Sequence, residues 1–407
     1  MKTSSEMIVV GGGPCGSFTA LNLARRGVDV SVFEEHRQIG VPSHCAGHLS
    51  INGLKCLGLY PLPNGIVENS FRGVVFHSPV GKEFSIRFPS SVTCVLNRTL
   101  FDKHIAKMAE GAGALCFLDS RIQSLIIEDS IVKGVVVSHG GKSEEIHAKI
   151  VVDAEGVSSR LLEQIELASP NKGMLINGVE AEVENAKDLE QDMVEAFLGK
   201  KFASGLYAWI IPKGDGRVGV GLGAKSGNPK KLLEWFMFKH PVASKKLGSA
   251  KILNVAFHPI PLGGMIPKAY DDGFLAVGDC ASQVKPTTGG GVVLGLNCAR
   301  VAAETSNEAL QKNDFSSGFL SAYQRRCEKI LGFDVRFMLK ARRLLNSMSD
   351  EKLDDVISFC CRFGLDKVFQ NVEDMDFQGR SLLRTLRRPR MTLAFLYLLL
   401  SWLSTNV

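Results

Sequence analysis

Gly11, Gly13 and Gly16 stand in the spacing G-x-G-x-x-G directly after the apolar run Ile8-Val9-Val10. A strand that breaks into such a turn and restarts as a helix over Ser17 to Arg26 suits a dinucleotide pyrophosphate. The first glycine permits the tight turn, the second lets phosphate approach the backbone, and the third lets helix and strand pack closely. The helix N-terminus then presents free N–H groups and a favourable dipole to the phosphates. Cys15 reads as a helix-start residue that touches phosphate through its backbone N–H, not as a reactive thiol. A second strand, Asp29 to Phe33, ends in Glu34, which is placed to accept ribose hydroxyl hydrogen bonds. The bland alternative is an ordinary strand-turn-helix with no ligand.

Three further stretches carry chemistry. Asn97-Arg98-Thr99 opens a helix and brings a cation toward a pyrophosphate or a ring edge. A buried strand runs from Gly273 into Gly278-Asp279 and puts a carboxylate near a ribityl hydroxyl. Pro286-Thr287-Thr288-Gly289-Gly290-Gly291 then leads into a second helix N-terminus. A nicotinamide dinucleotide has no use for this second anion-stabilising site. FAD does, because it spans both ends of such a domain and gathers negative charge on its ring when reduced. Cys45 lies in the irregular loop Val41 to His48, between Pro42 and Gly47, at the edge where such sheets bind ligands. It reads as a site residue or as a small buried hydrophobe. His44 and His48 flank it, as solvent-facing loop residues or as groups that titrate near neutrality. Tyr207 and Trp209 alternate on one strand and share a face, as cavity lining or as aromatic core. Cys280 reads as packing.

The chain that must position these residues has 407 residues, 45% hydrophobic and 22% charged, with a net charge of +6. Two or three globular domains fit that length. The mild charge and the lack of a basic stripe exclude nucleic acid as the expected partner. The ten cysteines form no C-x-x-C pair, so no metal or iron–sulfur site is expected. The first strand begins almost at once, which leaves no room for a targeting segment. The pattern predicts a hairpin over Ser70 to Phe88, a helix from Val95 to Ala114, a hairpin over Arg121 to Ser138, and a buried strand over Ala148 to Val152. It also predicts short alternating strands at Leu175 to Val183, Asp192 to Leu198, Gly205 to Ile211 and Arg217 to Leu222. Helices follow at Pro229 to Lys239, at Gly290 to Asn307 and through Phe315 to Gly364. At the C-terminus, five arginines from Arg380 to Arg390 precede the apolar run Met391 to Leu403. That run is too short to span a bilayer. It suits either a peripheral contact at a membrane interface or a helix packed on protein.

The fingerprint, Asn97 to Asp102, Asp153-Ala154-Glu155-Gly156 and Gly278-Asp279 together resemble the FAD-dependent monooxygenase-like superfamily, whose Asp-Gly pair is here interrupted by Ala154-Glu155. Within it, Pro42-Ser43-His44-Cys45-Ala46-Gly47 and Tyr207-Ala208-Trp209-Ile210-Ile211-Pro212 are similar to two motifs of the geranylgeranyl reductase family. Ile211 takes the place of the phenylalanine common in the second motif. The resemblance covers residues 1 to about 340. It implies an α/β fold: a Rossmann-type FAD-binding domain (1–70, 92–171 and 258–308), an inserted antiparallel-sheet substrate domain (71–91 and 172–257) and a helical C-terminal region (309–407).

The cofactor contacts implied are Gly11, Gly13, Cys15, Gly16, Glu34, Cys45, Ala46, Arg98, Ile122, Asp279, Gly290, Gly291 and Val292. Tyr207, Trp209 and Pro212 would bind substrate, and Cys45 would be catalytic. The implied activity is saturation of isolated C=C bonds of geranylgeranyl chains in isoprenoid glycerol lipids, with electrons from NAD(P)H or ferredoxin. The expected location is cytoplasmic, peripheral at the membrane. The competing readings are a flavin monooxygenase or halogenase of an aromatic or polyene substrate, and an electron-transfer flavoprotein linked to lipid or quinone.

Overall fold

A computed structural model describes residues 3–370 and 374–385. The first strand, Ser4–Val10, lies at the centre of an eight-stranded sheet. Val30–Phe33 and Lys142–Asp153 flank it in parallel, Leu115–Phe117 and Phe274–Ala276 extend the sheet in parallel, and Tyr270–Asp271 closes one edge antiparallel. Strands covered on both faces become continuous apolar runs, and Met7 to Val10 are all buried. The predicted hairpin appears as Ser120–Glu128 and Ile131–His139. It continues the sheet because Lys142–Asp153 pairs antiparallel with it first and only then with the central strand.

A seven-stranded sheet forms the second layer. Its order is Lys251–Pro261, Leu175–Glu184, Val218–Ala224, Gly205–Pro212, Met193–Phe197, Gly73–His77 and Glu83–Arg87. All neighbours are antiparallel except Met193–Phe197 with Gly73–His77. One face carries Val179, Ala181, Val183, Ala208, Ile210, Val220 and Leu222. It buries them against Leu233, Phe236 and Met237 of the helix Pro229–Lys239. On that side the buried His77 meets Glu195 at 2.7 Å, and Lys246 meets the same carboxylate at 2.6 Å.

The structure differs from the sequence-based reading at four places. Helix is predicted from Val95, but Thr93–Leu96 is a strand between His48–Ser50 and Val67–Phe71. The helix starts at Arg98, because the Asn97 side chain accepts a hydrogen bond from Leu100 N and caps it. The long small-residue helix is displaced to Val292–Lys312 and ends at Asn313 in the left-handed region. The edge strand Lys251–Pro261 is unforeseen, since its exposed and half-buried residues and two prolines give no clean alternation. The helical stretch after Phe315 is three helices, Ser317–Cys327, Phe333–Ser347 and Asp350–Arg362, the first two joined through a wide π turn at Glu328–Gly332. The apolar run 391–403 lies outside the described residues. Among the described residues, no helix is long and apolar enough to cross a membrane.

Removing the Asn97 cap in Asn97→Ala should cost about 1 kcal/mol of stability, read as a lowered midpoint in urea with an unchanged slope.

Candidate active site

Gly11 has φ +93°, and a Cβ there would stand 2.5 Å from the Ala154 carbonyl oxygen. A Cβ on Gly16 would collide with the Gly11 carbonyl oxygen. Strand and helix are therefore in backbone contact, as the third glycine of the spacing requires. Gly13 is the N-cap of the helix Pro14–Ala24 and offers no capping side chain, so first-turn N–H groups are left for a ligand. Gly12 N donates to Glu34 Oε2 at 2.7 Å, and His36 donates from its backbone N to Oε1 at 2.9 Å. The Glu34 carboxylate is thus fixed at the end of the second strand. Burial, reinforced by Asp279, pushes the Cys15 thiol well up and keeps it protonated. Its sulfur packs against Gly278 and Gly295, which join the first helix to the long one.

A cavity of about 1250 Å³ opens from this turn. Gly11, Gly13, Cys15, Glu34, Cys45, Ala46, Arg98, Ile122, Asp279, Gly290, Gly291 and Val292 all line it. Gly16 lies behind the lining as the packing glycine. Arg98 is almost fully buried and pairs with Asp102 at 3.0 Å. Burial disfavours its charge, but Asp102 and the adjacent Cys45 sulfur outweigh that and hold it above an ordinary arginine. Asp279 Oδ2 is 3.5 Å from His258 Nε2 on the edge strand, and His258 stacks on His44 at 5.9 Å between ring centres. Burial, then His258, lowers the pKa of His44. His48 hydrogen-bonds Thr93 Oγ1 at 2.8 Å, and burial followed by the Lys285 charge pushes its pKa down to about 4. His48 is therefore neutral at neutral pH.

The cavity continues across the inner face of the seven-stranded sheet. Tyr207, Trp209 and Ile211 point into it, while Ala208 and Ile210 point to the helices. Pro212 falls on the outward phase of that alternation and is not among the lining residues; its carbonyl oxygen accepts from Asn69 Nδ2 at 3.1 Å. Tyr207 donates its hydroxyl to the Thr288 carbonyl at 3.1 Å and so ties the sheet to the glycine-rich turn. The buried Arg342 donates to Pro286 O at 3.1 Å and also to Thr287 O, clamping the same turn. Beyond Trp209 the lining is apolar: Phe76, Phe84, Ile86, Phe88, Val356 and Ile357, between the hairpin and the C-terminal helices. Residues Met375, Gln378 and Leu382 close that side. Lys285–Asp376 at 2.8 Å and Thr287–Gln378 at 2.6 Å hold this segment down.

Sequence reasoning missed Glu180, His258, Lys285 and Arg342, which all line this cavity. It also missed that Gly219, Gly221 and Gly223 leave the room that the side chains of Glu180, Trp209 and Leu206 occupy. A Cβ on Gly221 would collide with the Trp209 ring. The one available signal was the alternation Val-Gly-Val-Gly-Leu-Gly over 218–223, which reads as a strand with one bare face.

Residues 4–331 match the FAD binding domain family. The chain is 34% identical over 354 residues to digeranylgeranylglycerophospholipid reductase 2 of Methanopyrus kandleri, covering 86% of this chain and 88% of that protein. The chain belongs to the digeranylgeranylglycerophospholipid reductase family. The reductase of Methanocaldococcus jannaschii is similar at 33% identity, over 86% and 88% of the two chains. A geranylgeranyl bacteriochlorophyll reductase-like protein from Thermoplasma acidophilum superimposes with a TM-score of 0.86 at 24% identity, covering 98% of this chain and all of the other. A flavin-dependent brominase gives 0.71 at 17% identity, over 95% of this chain and all of that one. These two likenesses show the fold. FAD is the cofactor of this reductase family member, and the Gly11–Gly16 turn, with an uncapped helix start and open space in front of Gly13, fits it.

Gly16→Val should cost about 2 kcal/mol by overpacking. It should also abolish co-purification of flavin, measured as the ratio of flavin to protein absorbance.

Proposed function

We propose that this chain is a FAD-dependent reductase that saturates isolated C=C bonds in the geranylgeranyl chains of isoprenoid glycerol lipids. The observation that carries the reading is the continuity of one cavity from the glycine turn to an apolar arm lined by Trp209, Phe76, Phe84 and Phe88. An isoprenoid chain needs such an arm, with few polar groups along it. When bound and reduced, FAD would supply hydride to one alkene carbon.

The chain's own residues do the rest. First-turn N–H groups behind Gly13, with Glu34, hold the adenosine diphosphate end. Arg98, Asp279 and the Gly289–Gly291 turn hold the ring end, and the turn is kept in place by Arg342 and Tyr207. Apolar side chains exclude water and orient the alkene. Cys45 is proposed to stand nearest the reacting carbons, as proton donor or as a group that shapes the cavity beside Arg98. The electrons come from NAD(P)H or ferredoxin. The five arginines ahead of the run 391–403 support peripheral contact with a membrane.

Purified protein, reduced under anaerobic conditions and given a digeranylgeranylglycerophospholipid, should yield product heavier by two hydrogens per bond and without added oxygen. Unchanged lipid, or an oxygenated or halogenated product in air, would sink the reading. Cys45→Ala with full FAD occupancy should be at least tenfold slower; full activity would remove Cys45 from the reaction centre. Anaerobic bleaching of the flavin by NAD(P)H or by reduced ferredoxin identifies the donor. Flotation with anionic vesicles that vanishes in high salt is the expected sign of membrane contact.

A further inference from the structure

Glu180 sits in the middle of the strand Leu175–Glu184, and its neighbours Val179 and Ala181 pack on the helix side. Glu180 itself faces the cavity. In the register of the sheet it lies beside Ala256 on one side and Gly221 on the other, with Trp209 next after Gly221. The Trp209 ring lies across Gly221, so indole and carboxyl share one row of the cavity floor. Gly219 leaves the room for the carboxyl: a Cβ there would stand 2.8 Å from Glu180 Oε1. Among the described residues, no other acidic side chain of this sheet lines the cavity, and the Glu180 carboxyl has no hydrogen-bond partner.

A half-buried carboxyl with no hydrogen-bond partner holds its proton more tightly than one in water. The charged groups that face Glu180 do not reverse this. Lys213 would favour ionisation, but its ammonium is already shared by Glu182 at 2.6 Å and Glu68 at 3.2 Å. Both of those carboxylates repel a charge on Glu180. Arg217 is likewise taken by Glu182 at 2.8 Å and by Asp215. His258 stands on the same face and is turned to Asp279.

We infer that Glu180 is the catalytic acid that protonates the alkene, a role that rests on the reductase reading above. The alkene gains a hydride on one carbon, with its electron pair drawn from the reduced cofactor. The O–H bond of Glu180 breaks, and the proton forms the new C–H bond on the adjacent carbon. The carboxylate left behind takes its next proton from water at the Lys213–Glu182–Arg217 rim, where these side chains reach solvent. Cys45, beside Arg98, then keeps the shaping role.

Burial pushes the pKa of Glu180 up to about 7. The proton is therefore present below that pH and lost above it, so the rate of alkene reduction falls about tenfold per pH unit on the alkaline side. The test compares wild type, Glu180→Gln and Glu180→Asp as FAD-loaded proteins. Its three readouts are single-turnover reoxidation of the reduced flavin by a digeranylgeranylglycerophospholipid against pH, lipid affinity from quenching of tryptophan fluorescence, and infrared titration of the protonated carboxyl band.

Glu180→Gln should keep FAD and lipid affinity within twofold, lose at least about a hundredfold in rate, lose the alkaline limb, and lack the carboxyl band that titrates near neutrality. Glu180→Asp should recover part of the rate and regain a limb. If wild type reduces the lipid and Glu180→Gln stays within threefold with the same limb, the assignment is wrong. It is equally wrong if Glu180→Gln loses lipid affinity in proportion to rate. Should Glu180→Gln fail to fold, an unaltered rate and profile in Glu180→Asp overturns the assignment. Failure of wild type to reduce the lipid would instead count against the reductase reading.

Discussion

Successive side chains of a β-strand leave opposite faces, and in the seven-stranded sheet that rule acts on every strand at once. Val179, Ala181, Ala208, Ile210, Val220 and Leu222 go to the helix layer. Gly178, Glu180, Tyr207, Trp209 and Ile211 are thereby sent to the cavity. A slip of one residue in any strand would exchange the two sets. On the strand over 218–224 that inner face is glycine, and the side chains of Glu180, Trp209 and Leu206 from the neighbouring strands lie across it. The packing of the outer face thus decides which residues face the cavity.

The half of the cavity beside the glycine turn follows a different logic. There the backbone does the positioning, and charges come in pairs. Gly16 against Gly11 brings the first helix onto the first strand, Cys15 against Gly278 and Gly295 brings the second helix to the same place, and Arg98–Asp102 carries its own counterion. Arg342 is the exception. It is a buried cation held by carbonyl oxygens, and burial brings its pKa down to about 10, so it stays charged. Its charge lies against the peptide groups of the glycine-rich turn that lines the cavity. The segment 374–385 completes the enclosure through Lys285–Asp376 and Thr287–Gln378, so the polar turn and the apolar arm share one wall.

Much of this was legible from residue order. The glycine spacing, Glu34, Arg98 and Gly278-Asp279 carry their meaning locally, because a tight turn or a helix start is decided within a few residues. Tyr207 and Trp209 were assigned one face by alternation alone. Glu180 was not legible, since a glutamate between Val179 and Ala181 reads as the solvent side of an ordinary strand. Lys251–Pro261 was missed because an edge strand needs no apolar alternation, and His258 was missed with it.

The sequence by itself determined the dinucleotide cradle and the α/β class, which rest on short-range spacing and periodicity, and the family, which rests on the resemblance of its motifs. Only the tertiary structure decided what covers each face. It put a second sheet, the helices Phe333–Ser347 and Asp350–Arg362 and the segment 374–385 around one space, and so turned the face carrying Glu180 and Trp209 inward. The physical reason is that periodicity specifies which side chains point together, whereas the environment they point into is made by elements 50 to 200 residues away in the chain.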